Sequence, residues 1–107
     1  MARIDAFLKL GLAQGCSDIH LAVGVPPMLR MHGDLMPIKF RELGDTELES
    51  YVSEILTPTQ KKRFEETLEL DFSFGIRGVA RFRCNVFNQR GAVAAAIDAH
   101  PLDPVSD

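Results

Sequence analysis

The sequence predicts an α+β domain in which helices cover one side of an antiparallel sheet, and two observations lead to this fold class. Apolar residues recur with a helical period near the start and again between residues 46 and 67, whereas elsewhere they alternate with polar residues, as in half-buried strands. The strand-like segments also form two groups of three, separated by the two later helices. The predicted order is therefore α-β-β-β-α-α-β-β-β around one core.

Length and composition exclude several classes of protein. A chain of 107 residues with 46% hydrophobic and 25% charged residues is typical of one globular domain. A net charge of −3 gives no positive field for a phosphate backbone, so we expect no nucleic-acid binding. No apolar run approaches the roughly 20 residues that cross a bilayer, and the start does not resemble a signal peptide. We therefore expect a cytoplasmic protein without a membrane span.

The first half of the chain predicts a helix followed by a three-stranded meander. Ile4, Leu8 and Leu12 share one face of a helix over residues 2–14, and Gly15 supplies a stop. Alternating patterns separated by turns rich in glycine and proline then indicate three strands, over residues 17–23, 28–32 and 35–40.

Two helices are predicted in succession after position 44. Apolar residues at helical spacing between positions 48 and 56 define the second helix, and Thr46 with Glu49 has the spacing of a capping box. The third helix, to about position 67, has Thr57 as N-cap, Pro58 in its first turn and Gln60 as the reciprocal cap.

Residues 68–98 predict three more antiparallel strands. Matching the apolar faces suggests a three-residue loop at 76–78, with Gly78 in the left-handed conformation. This loop would pair Phe72 with Phe82 and Asp71 with Arg83.

The second turn of this group is predicted at residues 88–91, which would bring Asp98 beside Arg81. The tail from position 99 contains two prolines and predicts a linker or a disordered end. The domain itself would then span residues 1–98, with residues 99–107 outside it.

The cysteines and histidines do not predict a metal site. Cys16 and Cys84 are expected to be free thiols in a reducing compartment. Together with His20 and His32 they match no compact zinc-binding spacing, so we expect no metal.

Asp18 and His20 lie two residues apart on one strand face, where a carboxylate could orient an imidazole for proton transfer. No candidate nucleophile has a defined place beside them. The favoured interpretation is a structural polar pair, joined by Arg30 from the neighbouring strand.

Arg81, Arg83 and Asn85 are predicted to share the face of one strand that points away from the core. Two guanidinium groups on a rigid strand are suited to binding phosphate oxygens, because each is permanently charged and offers paired donors. Alternatively, these arginines only balance Asp71 and Asp98, and the pattern alone leaves both interpretations open.

No phosphate-binding glycine loop, nucleophile elbow or zinc-protease motif occurs, so catalysis by this chain alone is not expected.

Several separated motifs resemble the type IV pilus retraction ATPases, the twitching-motility family of the secretion ATPase superfamily. An opening block contains Ser-Asp-Ile-His-Leu at 17–21 and Gly-Val-Pro-Pro-Met-Leu-Arg at 24–30. A closing block contains Leu-Asp-Phe-Ser-Phe at 70–74, Gly-Val-Ala-Arg-Phe-Arg at 78–83 and Asn-Val-Phe-Asn-Gln-Arg-Gly at 85–91. The resemblance covers residues 3–97. The chain departs from the family pattern after the alanine-rich strand, where a basic residue and an Ile-Pro step are usual and this sequence has Ile-Asp-Ala-His-Pro at 97–101.

The resemblance implies a PAS-like amino-terminal domain of a hexameric motor. ATP and Mg²⁺ would be held mainly by a RecA-like domain that carries the Walker motifs, and this domain would pack on a neighbouring subunit's motor domain. Arg81 and Arg83 match the family's basic strand and would face the nucleotide. The further candidate polar residues are Asp71, Asn85, Arg90 and Asp98. The assembled machine would act at the cytoplasmic face of the inner membrane, on a pilus platform protein.

Two alternatives from other classes remain at this point. A free-standing PAS-like ligand sensor would need a sizeable apolar pocket, lined by residues such as Met28, Phe72 and Phe82. An interaction module of a related type II secretion or pilus assembly ATPase would use its exposed sheet face only to dock a partner.

Overall fold

A computed structural model describes residues 4–76, Gly78 and residues 80–100, with the side chains of the last two positions left out. The elements follow the predicted order, which confirms the α+β class. Their bounds are α1 Ile4–Gln14, β1 Asp18–Ala22, β2 Met28–Met31, β3 Asp34–Pro37, α2 Asp45–Ile55, α3 Pro58–Thr67, β4 Glu69–Ile76, β5 Ala80–Gln89 and β6 Ala92–His100. None of these helices has the length and hydropathy needed to cross a bilayer.

The six strands form one antiparallel sheet in the order β3-β2-β1-β6-β5-β4. The first and last strands of the chain are neighbours at its centre, where Ile19 pairs with Ile97. This pairing joins the two predicted meanders into a single sheet. The edges are the short strand β3 and the longer strand β4.

The helices cover one face of the sheet and enclose the core. Alternate strand residues such as Ile19, Phe82, Cys84 and Ile97 are almost completely buried on this face. Helix α1 contributes Ile4 and Leu8, and α2 contributes Leu48, Tyr51 and Val52. Cys16 and Cys84 are buried free thiols, as predicted. The opposite face, which we call the open face, carries the intervening polar residues, among them Asp18, His20, Arg30, Asp71, Arg81, Arg83, Asn85 and Asp98.

The predicted cap of α3 is confirmed, whereas that of α2 is wrong. The backbone N–H of Gln60 donates to Thr57 Oγ1 (3.2 Å), and Thr57 N–H donates to Gln60 Oε1 (2.9 Å). Helix α2 begins instead after Gly44, and its third residue, Glu47, accepts a hydrogen bond from the Gly44 N–H at 3.4 Å. Glu47 is held in place because Tyr51 Oη also donates to its carboxylate (2.9 Å).

The predicted register of the β4–β5 hairpin is wrong by two residues. Phe82 lies opposite Phe74 rather than Phe72, and Arg83 lies opposite Ser73 rather than Asp71. A shift of two keeps every side chain on its own face, so the apolar pattern cannot distinguish the two registers. The loop keeps its predicted length of three residues, but β4 continues to Ile76, which pairs with Ala80. Gly78 has the predicted left-handed conformation (φ 76°).

The β5–β6 turn is also shorter than predicted. Arg90 (φ 55°) and Gly91 (φ 81°) both have positive φ, as in a two-residue type I′ turn. The Gly91 N–H donates to Asn88 Oδ1 (3.0 Å). Asp98 is consequently placed beside Arg83 and not beside Arg81. The β6 backbone continues through position 100, two residues beyond the predicted domain end, and residues 101–107 of the predicted tail lie outside the described residues.

Candidate functional site: the open face of the sheet

A row of charged residues crosses the middle of the open face. Arg83 on β5 lies opposite Asp98 on β6, Asp98 lies opposite Asp18 on β1, and Asp18 lies opposite Arg30 on β2. We call these four residues the charged row. Its two positive ends flank two acids on the central strands, so charges that sequence analysis treated as two separate groups belong to one surface.

Arg83 is engaged by an acid of its own domain. Its Nη2 donates to Asp71 Oδ2 (2.9 Å) and its Nε donates to Asp71 Oδ1 (3.4 Å). Asp71 is a diagonal neighbour on β4, since the residue directly opposite Arg83 is Ser73. The hydrogen bond from Arg83 lowers the pKa of Asp71, and the same bond raises the pKa of Arg83. Both side chains remain well exposed, 64% for Arg83 and 48% for Asp71.

Arg81 lies two residues earlier on the same face of β5 and differs in its surroundings. It is exposed, and the residues opposite its backbone are Gly75 on β4 and position 100 on β6. Among the side chains that the structure describes, those of residues 4–76, 78 and 80–98, none forms a hydrogen bond or ion pair with Arg81. The two arginines are therefore adjacent but not equivalent: Arg83 is paired with an acid, whereas Arg81 has no side-chain partner among the described residues.

The other candidate residues lie at different distances from this pair. Asn85 is half-buried on β5, opposite Asp71. Asp98 is exposed, opposite Arg83. Arg90 occupies the turn at the far end of β5, seven residues and about 23 Å along the strand from Arg83. The structure thus brings Asp71, Asn85 and Asp98 together with the arginines, but not Arg90.

Asp18 and His20 form a polar cluster at the other end of the charged row. His20 Nε2 is hydrogen-bonded to Asp18 Oδ2, and Arg30 Nε reaches the same oxygen at 3.3 Å. Ser17 Oγ donates to Asp18 Oδ1 (2.7 Å). Burial by itself raises the pKa of Asp18, but the hydrogen bonds from Ser17, His20 and Arg30 outweigh it and leave the pKa below its usual value. A structural role for the cluster stays a prediction.

Comparison with known proteins identifies relatives of the chain, although no family model matches it. A Pseudomonas aeruginosa protein described as type IV pilus retractation ATPase PilT is 47% identical over 92 residues, 85% of this chain and 27% of the relative. A Neisseria gonorrhoeae twitching motility protein is 39% identical over 80 residues, 75% of this chain and 21% of the relative. A crystal structure of the pilus retraction motor PilT with bound ADP matches with a TM-score of 0.86 and 38% identity, over 96% of this chain and 30% of that one.

By sequence and fold, this chain belongs with the amino-terminal part of the PilT-like pilus retraction ATPases. The chain spans about a quarter of the length of the curated relatives it matches. The Legionella pneumophila ATPase DotB shares the fold, with a TM-score of 0.78 at 24% identity, over 92% of this chain and 28% of that one. The family resemblance predicted from separated motifs is thus confirmed.

The apolar pocket that a ligand sensor would need is not formed as predicted. Phe72 and Phe82 lie on the helix-covered face, whereas Met28 lies on the open face, opposite His20. The three side chains cannot line one cavity. Surface grooves of about 440, 290 and 250 Å³ lie among the described residues, beside α1 and β3, between α2 and α3, and at the β5–β6 turn. None of these grooves is lined by any of the three side chains.

Proposed function

We propose that this chain is the non-catalytic amino-terminal domain of a hexameric type IV pilus retraction ATPase. In this proposal it packs on a neighbouring RecA-like motor domain and directs Arg81 and Arg83 toward bound ATP. The single observation that carries the proposal is the pair of exposed guanidinium groups side by side on β5, of which Arg81 has no partner among the described residues. The family of the relatives supports it.

The strand geometry suits these arginines to a polyphosphate ligand. Their Cα atoms lie about 7 Å apart on one face of β5, and that strand is fixed on both sides by β4 and β6. A guanidinium group keeps its charge at any physiological pH and offers paired donors to phosphate oxygens. The motor domain would hold ATP and Mg²⁺ and perform hydrolysis, while this domain would contribute positive charge from across a subunit boundary.

Such a contribution would couple nucleotide state to domain movement. If ATP binds better between closed domains than between open ones, its binding shifts the population toward the closed state. Loss of the phosphate would then allow the domains to open again. The cycle would act on the pilus through a platform protein at the cytoplasmic face of the inner membrane. In a module that only docks a partner, the rate of ATP hydrolysis would not depend on the arginines, so one experiment separates the two functions.

A chimera tests the proposal directly. Residues 1–98 of this chain would replace the corresponding region of the Pseudomonas PilT relative, and the chimera would be assayed for ATP hydrolysis and for twitching in cells without their own PilT. We expect the double change Arg81→Ala and Arg83→Ala to lower ATP turnover by about tenfold or more, because charge stabilisation of a transferring phosphate is lost. The matched control is Arg63→Ala, which removes an exposed arginine from α3.

An active chimera whose double arginine variant hydrolyses ATP as fast as the Arg63→Ala control would contradict the proposal. Reduced twitching with unchanged turnover would contradict it as well, because that result fits a docking surface rather than a contact with ATP.

A further inference from the structure

The contact between Arg83 and Asp71 has the form of an arginine–phosphate contact. The carboxylate accepts from both Nε and Nη2, the edge of the guanidinium group that would otherwise bind two phosphate oxygens. We propose that Asp71 is a positioning residue that occupies this edge of Arg83 until a phosphate group displaces it. The inference rests on the proposed function, and it assigns the two arginines different roles: Arg81 contacts the ligand first, and Arg83 follows when Asp71 is released.

The surroundings of the two arginines support this order. Arg83 has an acid on each side, Asp71 on β4 as a hydrogen-bond partner and Asp98 directly opposite on β6. The charge of Asp98 also contributes to the raised pKa of Arg83. Arg81 has no such partner among the described residues, and the position opposite it on β4 is a glycine. Within the described part of the chain, an approaching anion therefore meets a guanidinium group without an acidic partner at Arg81 and one already paired with an acid at Arg83.

The exposure of the pair makes displacement feasible. Ion pairs between exposed side chains contribute little, because water and salt screen them and both side chains lose freedom. A bound polyphosphate carries more negative charge than one carboxylate and offers the same two-oxygen geometry. Asp71 should therefore hold Arg83 in a defined orientation without blocking the ligand strongly. We expect it to raise the phosphate concentration needed to occupy Arg83 by no more than about fivefold.

The competition should not depend on protonation near neutral pH. The pKa of Asp71 lies below its ordinary value, so its carboxylate stays charged throughout that range. Only a competing anion, or removal of the charge by substitution, would then release Arg83.

The test uses the 107-residue chain, inorganic tripolyphosphate as probe, and NMR signals of the arginine Nε–H groups. In the native sequence we expect the Arg81 signal to shift at lower probe concentration than the Arg83 signal. The change Asp71→Asn should lower the concentration that half-shifts Arg83 by up to about fivefold. The matched control is Glu69→Gln, which removes the same charge from the open face of β4 without touching Arg83.

Several results would overturn the inference. One is that the Arg81 and Arg83 signals of the native chain shift at the same probe concentration, and another is that neither signal shifts. A third is that Asp71→Asn and Glu69→Gln change the Arg83 response equally, which would indicate an effect of net charge alone. In the PilT chimera, Asp71→Asn should lower the KM for ATP by a similar factor and leave kcat unchanged. If Asp71→Asn has no effect while loss of both arginines lowers turnover, this inference fails and the proposed function stands. If loss of both arginines has no effect, the proposed function fails first.

Discussion

Replacing Gly11 in α1 by alanine should destabilise the chain, although alanine is usually the better residue inside a helix. A Cβ atom at this position would lie 2.7 Å from Cys16 Sγ and 2.9 Å from Ile19 Cδ1, whereas ordinary contacts are about 3.5–4.0 Å. Cys16 cannot easily retreat, because its backbone N–H donates to Gly11 O (3.0 Å) at the end of the helix. Ile19 is also fixed, since it is buried in β1.

The magnitude follows from two opposing effects. Replacing glycine by alanine inside a helix is worth about 1 kcal/mol through helix propensity. Forcing an extra methyl group into a packed core costs about 1–3 kcal/mol. With two short contacts we expect a cost near the middle of that range, and a net loss of about 1 kcal/mol in the free energy of unfolding for Gly11→Ala. This corresponds to a fall in Tm of about 4–8 °C for a domain of this size.

Urea and thermal unfolding, followed by circular dichroism, would measure the change. Ala13→Gly in the exposed part of the same helix supplies the propensity effect without the clash. Cys16→Ala removes the nearer obstacle, so Gly11→Ala should cost less in that background. A Gly11→Ala variant more stable than the native chain would refute the reasoning, because propensity would then outweigh packing.

Two further predictions concern ionisable groups. The pKa of Asp18 is below its ordinary value in the folded chain, so its contribution to stability is present above about pH 4 and is lost as the pH falls further. The difference in unfolding free energy between the native chain and Asp18→Asn should therefore shrink in acid, and a constant difference from about pH 7 to 3 would contradict this. Burial raises the pKa of Cys84 to about 12, and that of Cys16 is raised as well, so neither thiol should react with a disulfide reagent at pH 8 until urea unfolds the chain; rapid labelling of the folded protein would show that the core opens readily.

The local rules of sequence predicted the elements well but erred where equivalent alternatives exist. Thr57 with Gln60 marked the start of α3, because a reciprocal cap needs only residues three apart. The two hairpin registers were each wrong by two, since such a shift exchanges apolar partners for other apolar partners on the same face. The two-residue turn was not predicted because it requires Arg90 to adopt a left-handed conformation, which residues other than glycine adopt rarely.

By itself, the sequence determined the fold class, the family and the exposure of Arg81 and Arg83, because alternation along β5 places every second residue on one face. Only the tertiary structure decided which charges meet. The pairing of β1 with β6 joins strands some eighty residues apart and sets Asp18 opposite Asp98, a contact that no local pattern encodes. The diagonal hydrogen bonds from Arg83 to Asp71 likewise depend on the register. That register distinguishes Arg83 from Arg81, for which the described residues provide no side-chain partner.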